Sequence, residues 1–224
     1  MVHSIHMKMK HERLSALADG IFAIVMTILV FEIRIPEFPG TISSYGLFRA
    51  IIDILPSFLS YLLSFSLLFT YWRAHHFIVS VYARNIDMWL TNINAIFFFF
   101  IGLVPFSSYL LGKYHTVQSA IFFFSGNIVL IGLSLLAMRL YIKYAPSIEN
   151  EITSKTENDH AYTRLLFPVF CAFGASALSF WNTELSLIFL TIGILFNLLP
   201  SSTGWTFDVW HKVRGGNREE EIIA

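Results

Sequence analysis

The stretch from Arg13 to Pro36, RLSALADGIFAIVMTILVFEIRIP, admits very few environments. It follows a basic, His-rich lead (His3, His6, Lys8, Lys10, His11), carries one acid, Asp19, beside Gly20, and then runs apolar to Phe31, broken only by Thr27. At a rise of about 1.5 Å per residue, roughly twenty such residues cross a bilayer core, so the stretch is read as a first transmembrane helix. Leu17, Ile21, Ile24, Ile28, Phe31 and Ile35 recur at alternating steps of four and three and form one bulky stripe. Ala16, Gly20, Ala23 and Thr27 form a second stripe of small residues, the kind that lets helix backbones approach closely in a membrane. The bulky stripe then faces either lipid or copies of itself around an axis.

The rest of the chain has the same character. Of 224 residues, 55% are hydrophobic, 17% aromatic and 13% charged, and 23 are Phe. A soluble single-core protein of this length cannot hide that much apolar surface. Six apolar stretches, at roughly 14–34, 55–79, 88–112, 117–142, 161–181 and 184–203, each approach the length of a span. They predict an all-α membrane protein with six transmembrane helices per chain. Net charge is formally zero and no basic run occurs, which excludes nucleic acid as a partner. Cys171 is the single cysteine, so no intrachain disulfide or cysteine metal site is available, and it reads as a small buried hydrophobe. The first apolar run lacks a small-residue cleavage site and is expected to be a retained helix, not a removed signal peptide.

Lys and Arg divide unevenly among these spans. Twelve, including Lys8, Arg13, Arg73, Arg84 and Arg139, fall on one side, and three, Arg34, Arg49 and Lys113, fall on the other. Positive charge accumulates in the cytoplasm, which places both termini and the polar segment 145–160 there. That segment, APSIENEITSKTENDH, reads as a solvated loop, and Pro39-Gly40 turns the chain between the first two spans. The expected organisation is a cytoplasmic segment 1–12, a six-helix membrane domain 13–205, and a fraying cytoplasmic tail 206–224.

Asp19 is the most informative single residue, because a carboxylate near the end of a span is costly unless it is paired, wet or interfacial. Arg13 lies six residues earlier, and Trp72, His75 and His76 end the second span on the same side. Carboxylate, guanidinium, imidazole and indole N–H can satisfy one another and tie the first helix to the second. The simpler reading is that Arg13 and His75 are interfacial anchors. Asn92 and Asn94, near the start of the third span, suit interhelical hydrogen bonding, but only one of them can face a given neighbour. Pro56 and Pro105 read as caps or kinks.

Two other classes compete. A metal site or intramembrane hydrolase would use a carboxylate with histidines, but His75 and His76 point about 100° apart and no His-Glu-x-x-His or Gly-x-Ser-x-Gly pattern occurs. An enzyme is therefore not expected. An ion- or proton-coupled transporter would use Asp19 with His75 and His76 as a relay, although no broken midplane helix is visible. A structural membrane subunit is the third reading.

Three motifs carry a resemblance. Arg13 with Ala18-Asp19-Gly20, Trp72-Arg73-Ala74-His75-His76-Phe77, and Asn92-Ile93-Asn94 leading to Leu103-Val104-Pro105-Phe106-Ser107 occur in order. Together they resemble the TMEM175 family of potassium channels, whose first-helix signature is Arg followed after several residues by Phe-Ser-Asp. This chain has Leu17 and Ala18 where Phe and Ser are expected, while the Arg-to-Asp spacing and the Gly survive. The likeness is best over roughly residues 10–115 and rests on hydropathy alone beyond them. The first-helix motif occurs once, as in the one-repeat prokaryotic form, in which four subunits surround the pore.

The resemblance implies a potassium-selective, leaky cation channel in the cell membrane, assembled as a homotetramer with the first helix lining a central pore. One such helix per chain cannot enclose a pathway by itself. No Thr-Val-Gly-Tyr-Gly carbonyl filter is present, so selectivity needs another device. By resemblance that device is a hydrophobic constriction at Ile24, with Ile28 and Phe31 stacked above it and Thr27 supplying a hydroxyl or exposing a carbonyl. The polar network of Arg13, Asp19, Trp72, His75, His76 and Asn94 becomes structural, with Asn94 favoured over Asn92 by family position. Membrane lipid, K+ and related monovalent cations are the expected partners, and no cofactor or metal is implied beyond the permeant ions.

Overall fold

The structure is a computed structural model and describes residues 11–38, 40–145, 148 and 155–198, with side chains undescribed at residues 11 and 155–164. The segment 1–12 up to residue 10 and the whole tail 206–224 lie outside the described residues. Every regular element within them is helical: α1 (His11–Ile28), α2 (Ser44–Asp53), α3 (Leu55–Phe77), α4 (Met88–Gly102), α5 (Val104–Lys113), α6 (Gln118–Tyr144), α7 (Lys155–Leu178) and α8 (Thr183–Leu198). Four continuous stretches, Glu12–Glu32, Leu55–Tyr82, Met88–Lys113 and Gln118–Tyr144, are long and apolar enough to cross a membrane. Leu165–Leu178 and Thr183–Leu198 are shorter apolar helices.

Local chemistry sets the boundaries. Asp87 caps α4 by accepting from Leu90 N at 2.9 Å, and Asn182 caps α8 by accepting from Leu185 N at 2.9 Å. The third span is not one straight helix: it breaks at Leu103, and Pro105 sits in the first turn of α5, where its missing N–H costs least. Pro56 occupies the same position in α3. Gly40 takes a φ of 109°, a backbone conformation that side-chain-bearing residues avoid, as the turn between the first two spans requires. α7 begins at Lys155, inside the segment 145–160 that the sequence presents as a loop.

Two irregular turns flank the first two spans. The first span ends in a 3-10 turn, Leu29–Glu32, and the second in a π turn, Ile78–Tyr82. Ile33 is already extended, so Ile35, expected on the bulky stripe, lies beyond the helix.

The core is apolar and contiguous, running from Leu14, Phe22 and Leu29 through Leu63, Leu67, Phe97 and Phe124 to Leu190 and Ile194. Small residues fix the closest approaches. A Cβ on Gly112 would lie 2.8 Å from Ser57 Cα, so α3 and α5 touch backbone to backbone there. One turn on, Ser60 Oγ donates to Ser108 O at 2.6 Å and lies 3.0 Å from Ser108 Oγ. Cys171 is buried against Gly193, where an added Cβ would meet its Sγ at 2.7 Å.

Candidate functional site

The first helix presents three faces, where its sequence suggested two. Leu14, Ala18, Phe22, Val25 and Leu29, spaced by four and three, are buried and pack α1 onto its own chain. Ile21 leans toward that core. Leu17, Ile24 and Ile28 stay exposed, with Ile24 at 59% and Phe31 at 67%. The small stripe of Ala16, Gly20, Ala23 and Thr27 is also exposed, and a Cβ built on Gly20 meets nothing within 4 Å. Small residues therefore do not seat this helix on its own chain. A mainly large apolar face does, which sequence reasoning missed because Leu14, Phe22, Val25 and Leu29, with the smaller Ala18 among them, interleave two more conspicuous rows.

Thr27 Oγ1 lies 2.9 Å from Ala23 O and 2.8 Å from Ile24 O. Its single proton is committed to its own helix, leaving oxygen lone pairs toward the exposed side. Above it the 3-10 geometry brings residues three apart into eclipse, so Phe31 stands over Ile28. Arg34 Nε donates to Phe31 O at 3.1 Å and closes that end with a cation, the favourable charge for a helix C-terminus.

The polar residues fall into two separate groups. In the first, Trp72 Nε1 donates to Asp19 Oδ1 at 2.8 Å, and the indole stacks on His76 with centroids 6.0 Å apart and planes at 26°. Phe69 also packs against the indole, its centroid 5.6 Å away and its plane tilted by 35°. In the second, His75 is buried with Asn94, Nε2 to Oδ1 at 2.7 Å, and stacks on Phe97 with planes 3° apart. Adjacent histidines thus serve opposite surroundings, as their roughly 100° separation requires.

Arg13 joins neither group. It is exposed and makes no hydrogen bond or ion pair among the described residues. Six residues of helix place it about 9 Å along and about 120° around from Asp19, so the guanidinium points elsewhere. Asn94 is the amide that faces inward, while Asn92 is exposed. Among the described residues no group of three or more His, Cys, Asp or Glu is placed to hold a metal ion.

The chain as a whole has counterparts among known proteins. The family model described as endosomal/lysosomal potassium channel TMEM175 matches residues 13–105. The crystal structure of a lysosomal potassium-selective channel TMEM175 homolog from Chamaesiphon minutus superposes with a TM-score of 0.72 at 27% identity, covering 85% of this chain and 97% of that one. Over residues 13–105 the chain is similar to the TMEM175 family, and it shares the fold of that homolog. A potassium channel of the same organism is 35% identical over 102 residues, 46% of this chain and 49% of that protein. The endosomal/lysosomal proton channel TMEM175 of Gallus gallus is 27% identical over 217 residues, 93% of this chain and 41% of that protein. The chain therefore spans about half the length of these curated relatives. The TMEM175 match covers the first two spans and the third as far as Pro105, including Asp19, Trp72, His75 and Asn94, and the matching family is one of ion channels, not an enzyme class.

Proposed function

We propose that this chain is one subunit of a potassium-selective cation channel, a homotetramer of six-span subunits in the cell membrane with both termini cytoplasmic. α8 and the apolar part of α7 supply the fifth and sixth spans. The relatives named as potassium channels support the activity, and the basic asymmetry supports the orientation.

One observation carries the pore assignment: α1 packs on its own chain through Leu14, Phe22, Val25 and Leu29 while Ile24, Thr27, Ile28 and Phe31 stay uncovered beside an uncovered small stripe. A lipid-facing surface has no use for small residues at every turn, whereas a neighbouring first helix needs them to approach. With the small stripe against that neighbour, Ile24 turns toward the axis. Four Ile24 side chains then close a short, dry constriction that an ion passes after shedding much of its water, at a penalty larger for sodium than for potassium. Thr27 oxygens and then Ile28 and Phe31 meet the ion above it.

The polar residues are structural in this reading. Asp19 is held by an indole N–H, which donates and cannot pass a proton on, and His75 is held by an amide. Neither bond favours the coupled transporter.

Ile24→Asn tests the assignment in liposomes, with potassium and sodium flux normalised to assembled protein. Val25 is buried and makes a poor comparison, so Phe173→Asn, on the exposed surface of α7, serves as the control. A wetted ring raises flux and lowers potassium preference, with little change at Phe173. Unchanged or reduced flux with intact preference removes Ile24 from the constriction.

A further inference from the structure

We propose that α2 is a membrane-surface helix, lying in the phospholipid headgroup and acyl boundary at the end of the bundle opposite Asp19. Nothing in the hydropathy of the chain announces it, because it falls between two spans. The inference rests on the membrane placement alone, not on what the chain conducts.

The helix is built in three sectors. At about 100° per residue, Leu47, Ile51, Phe48, Ile52 and Tyr45 share an arc of about 160°. All five are exposed, Phe48 at 61%. Arg49 and Asp53 both border that arc on its Tyr45 edge, and Gly46, Ala50 and Ile54 form the face turned toward the rest of the chain, with Ala50 buried. Ser43 Oγ fixes its start by accepting from Gly46 N at 3.1 Å.

Its level in the membrane follows from its neighbours. α2 ends at Asp53, and a single residue, Ile54, separates it from the span Leu55–Tyr82. The backbone contact of Gly112 with Ser57 sets Lys113, the last residue of another span, beside the first turn of α3. Two spans therefore end where α2 ends, and the surroundings at that height are lipid headgroups.

The side chains there have interfacial chemistry. The Arg49 guanidinium lies over the Tyr45 ring, 5.6 Å from its centroid, and Lys113 Nζ lies 5.1 Å from the Tyr109 centroid and 5.6 Å from that of Tyr114. Cations laid over tyrosines form the belt that a membrane surface selects. An apolar arc bordered along one edge by a cation and an anion suits acyl chains below and headgroups beside that edge.

The test uses the full chain with Cys171→Ser and single cysteines replacing Phe48, Ile52 or Asp53, each carrying a bimane label. Each variant is checked for an unchanged gel-filtration profile and reconstituted in phosphatidylcholine vesicles. Labels at Phe48 and Ile52 should lose most of their fluorescence to nitroxide lipids of shallow acyl depth and little to aqueous iodide, with the order reversed at Asp53. Ile51→Cys replaces either apolar position if that variant fails to assemble. Labels quenched by iodide alone would place the arc in water, and labels quenched by neither reagent would mean that a second copy covers it. Either result overturns the proposal and leaves the flux measurements at Ile24 untouched.

Discussion

Asn94 fixes the tautomer of His75. The amide Nδ2 donates to Leu90 O at 2.9 Å, so the atom facing His75 Nε2 at 2.7 Å is the acceptor Oδ1, and the imidazole proton must sit on Nε2. Both side chains are sealed from solvent, and the bond joins α3 to α4 where water cannot substitute for it.

Asn94→Leu should therefore cost about 1–3 kcal/mol by leaving a buried N–H without a partner. Replacing both partners removes the unmet donor, so His75→Phe combined with Asn94→Leu should be more stable than Asn94→Leu alone. Thermal unfolding of detergent-purified protein reads the order. Equal or additive losses would mean that the bond contributes little.

At Asp19 the prediction separates charge from geometry. Asp19→Asn keeps an oxygen able to accept from Trp72 Nε1 and should be nearly neutral, whereas Asp19→Leu and Trp72→Phe should each lose about 1 kcal/mol, the low side for a charge-assisted bond at an exposed site. Comparable losses for Asn and Leu would mean that the negative charge itself matters.

The glycines divide by what surrounds them. Gly112→Ala drives a methyl to within 2.8 Å of Ser57 Cα and should cost about 1–3 kcal/mol as α3 and α5 separate. Gly126, with nothing within 4 Å of its Cβ position, should gain up to about 1 kcal/mol as Ala in the middle of α6. Melting temperatures of the two variants should move in opposite directions.

Gly20 also has open space within the chain, so Gly20→Ala should leave the subunit fold intact or slightly firmer. Gly20→Phe should block approach of a neighbouring first helix, and native mass measurement should find fewer than four chains together. A full assembly carrying Gly20→Phe would move the subunit contact off the small stripe.

Much of this was readable in the sequence because membrane spans and their flanking charges are one-dimensional signals. The first span, its exposed Ile24, Ile28 and Phe31, and the choice of Asn94 over Asn92 all emerge from spacing and resemblance. α2 did not, since ten residues with a mixed face look like part of a connection. Nor did the partition of the polar residues: composition places Arg13, Asp19, Trp72 and His75 near one membrane surface, but helical phase decides that Asp19 meets Trp72 and His75 meets Asn94. The packing face of α1 was hidden for the same reason, because Leu14, Phe22 and Val25 are as apolar as the residues they leave uncovered.

The end of the first helix away from Asp19, Leu29–Glu32, is wound as a 3-10 turn and not as α-helix. Rewinding those residues to ordinary α-helix would change the step from about 120° to about 100° per residue and from about 2.0 to about 1.5 Å. Over the three residues from Ile28 to Phe31 that is a swing of about 60° and a retreat of about 1.5 Å. The Phe31 ring would leave its place over Ile28 while Ile24, a turn below, kept its own. Arg34, bonded to the Phe31 carbonyl, would have to release or follow.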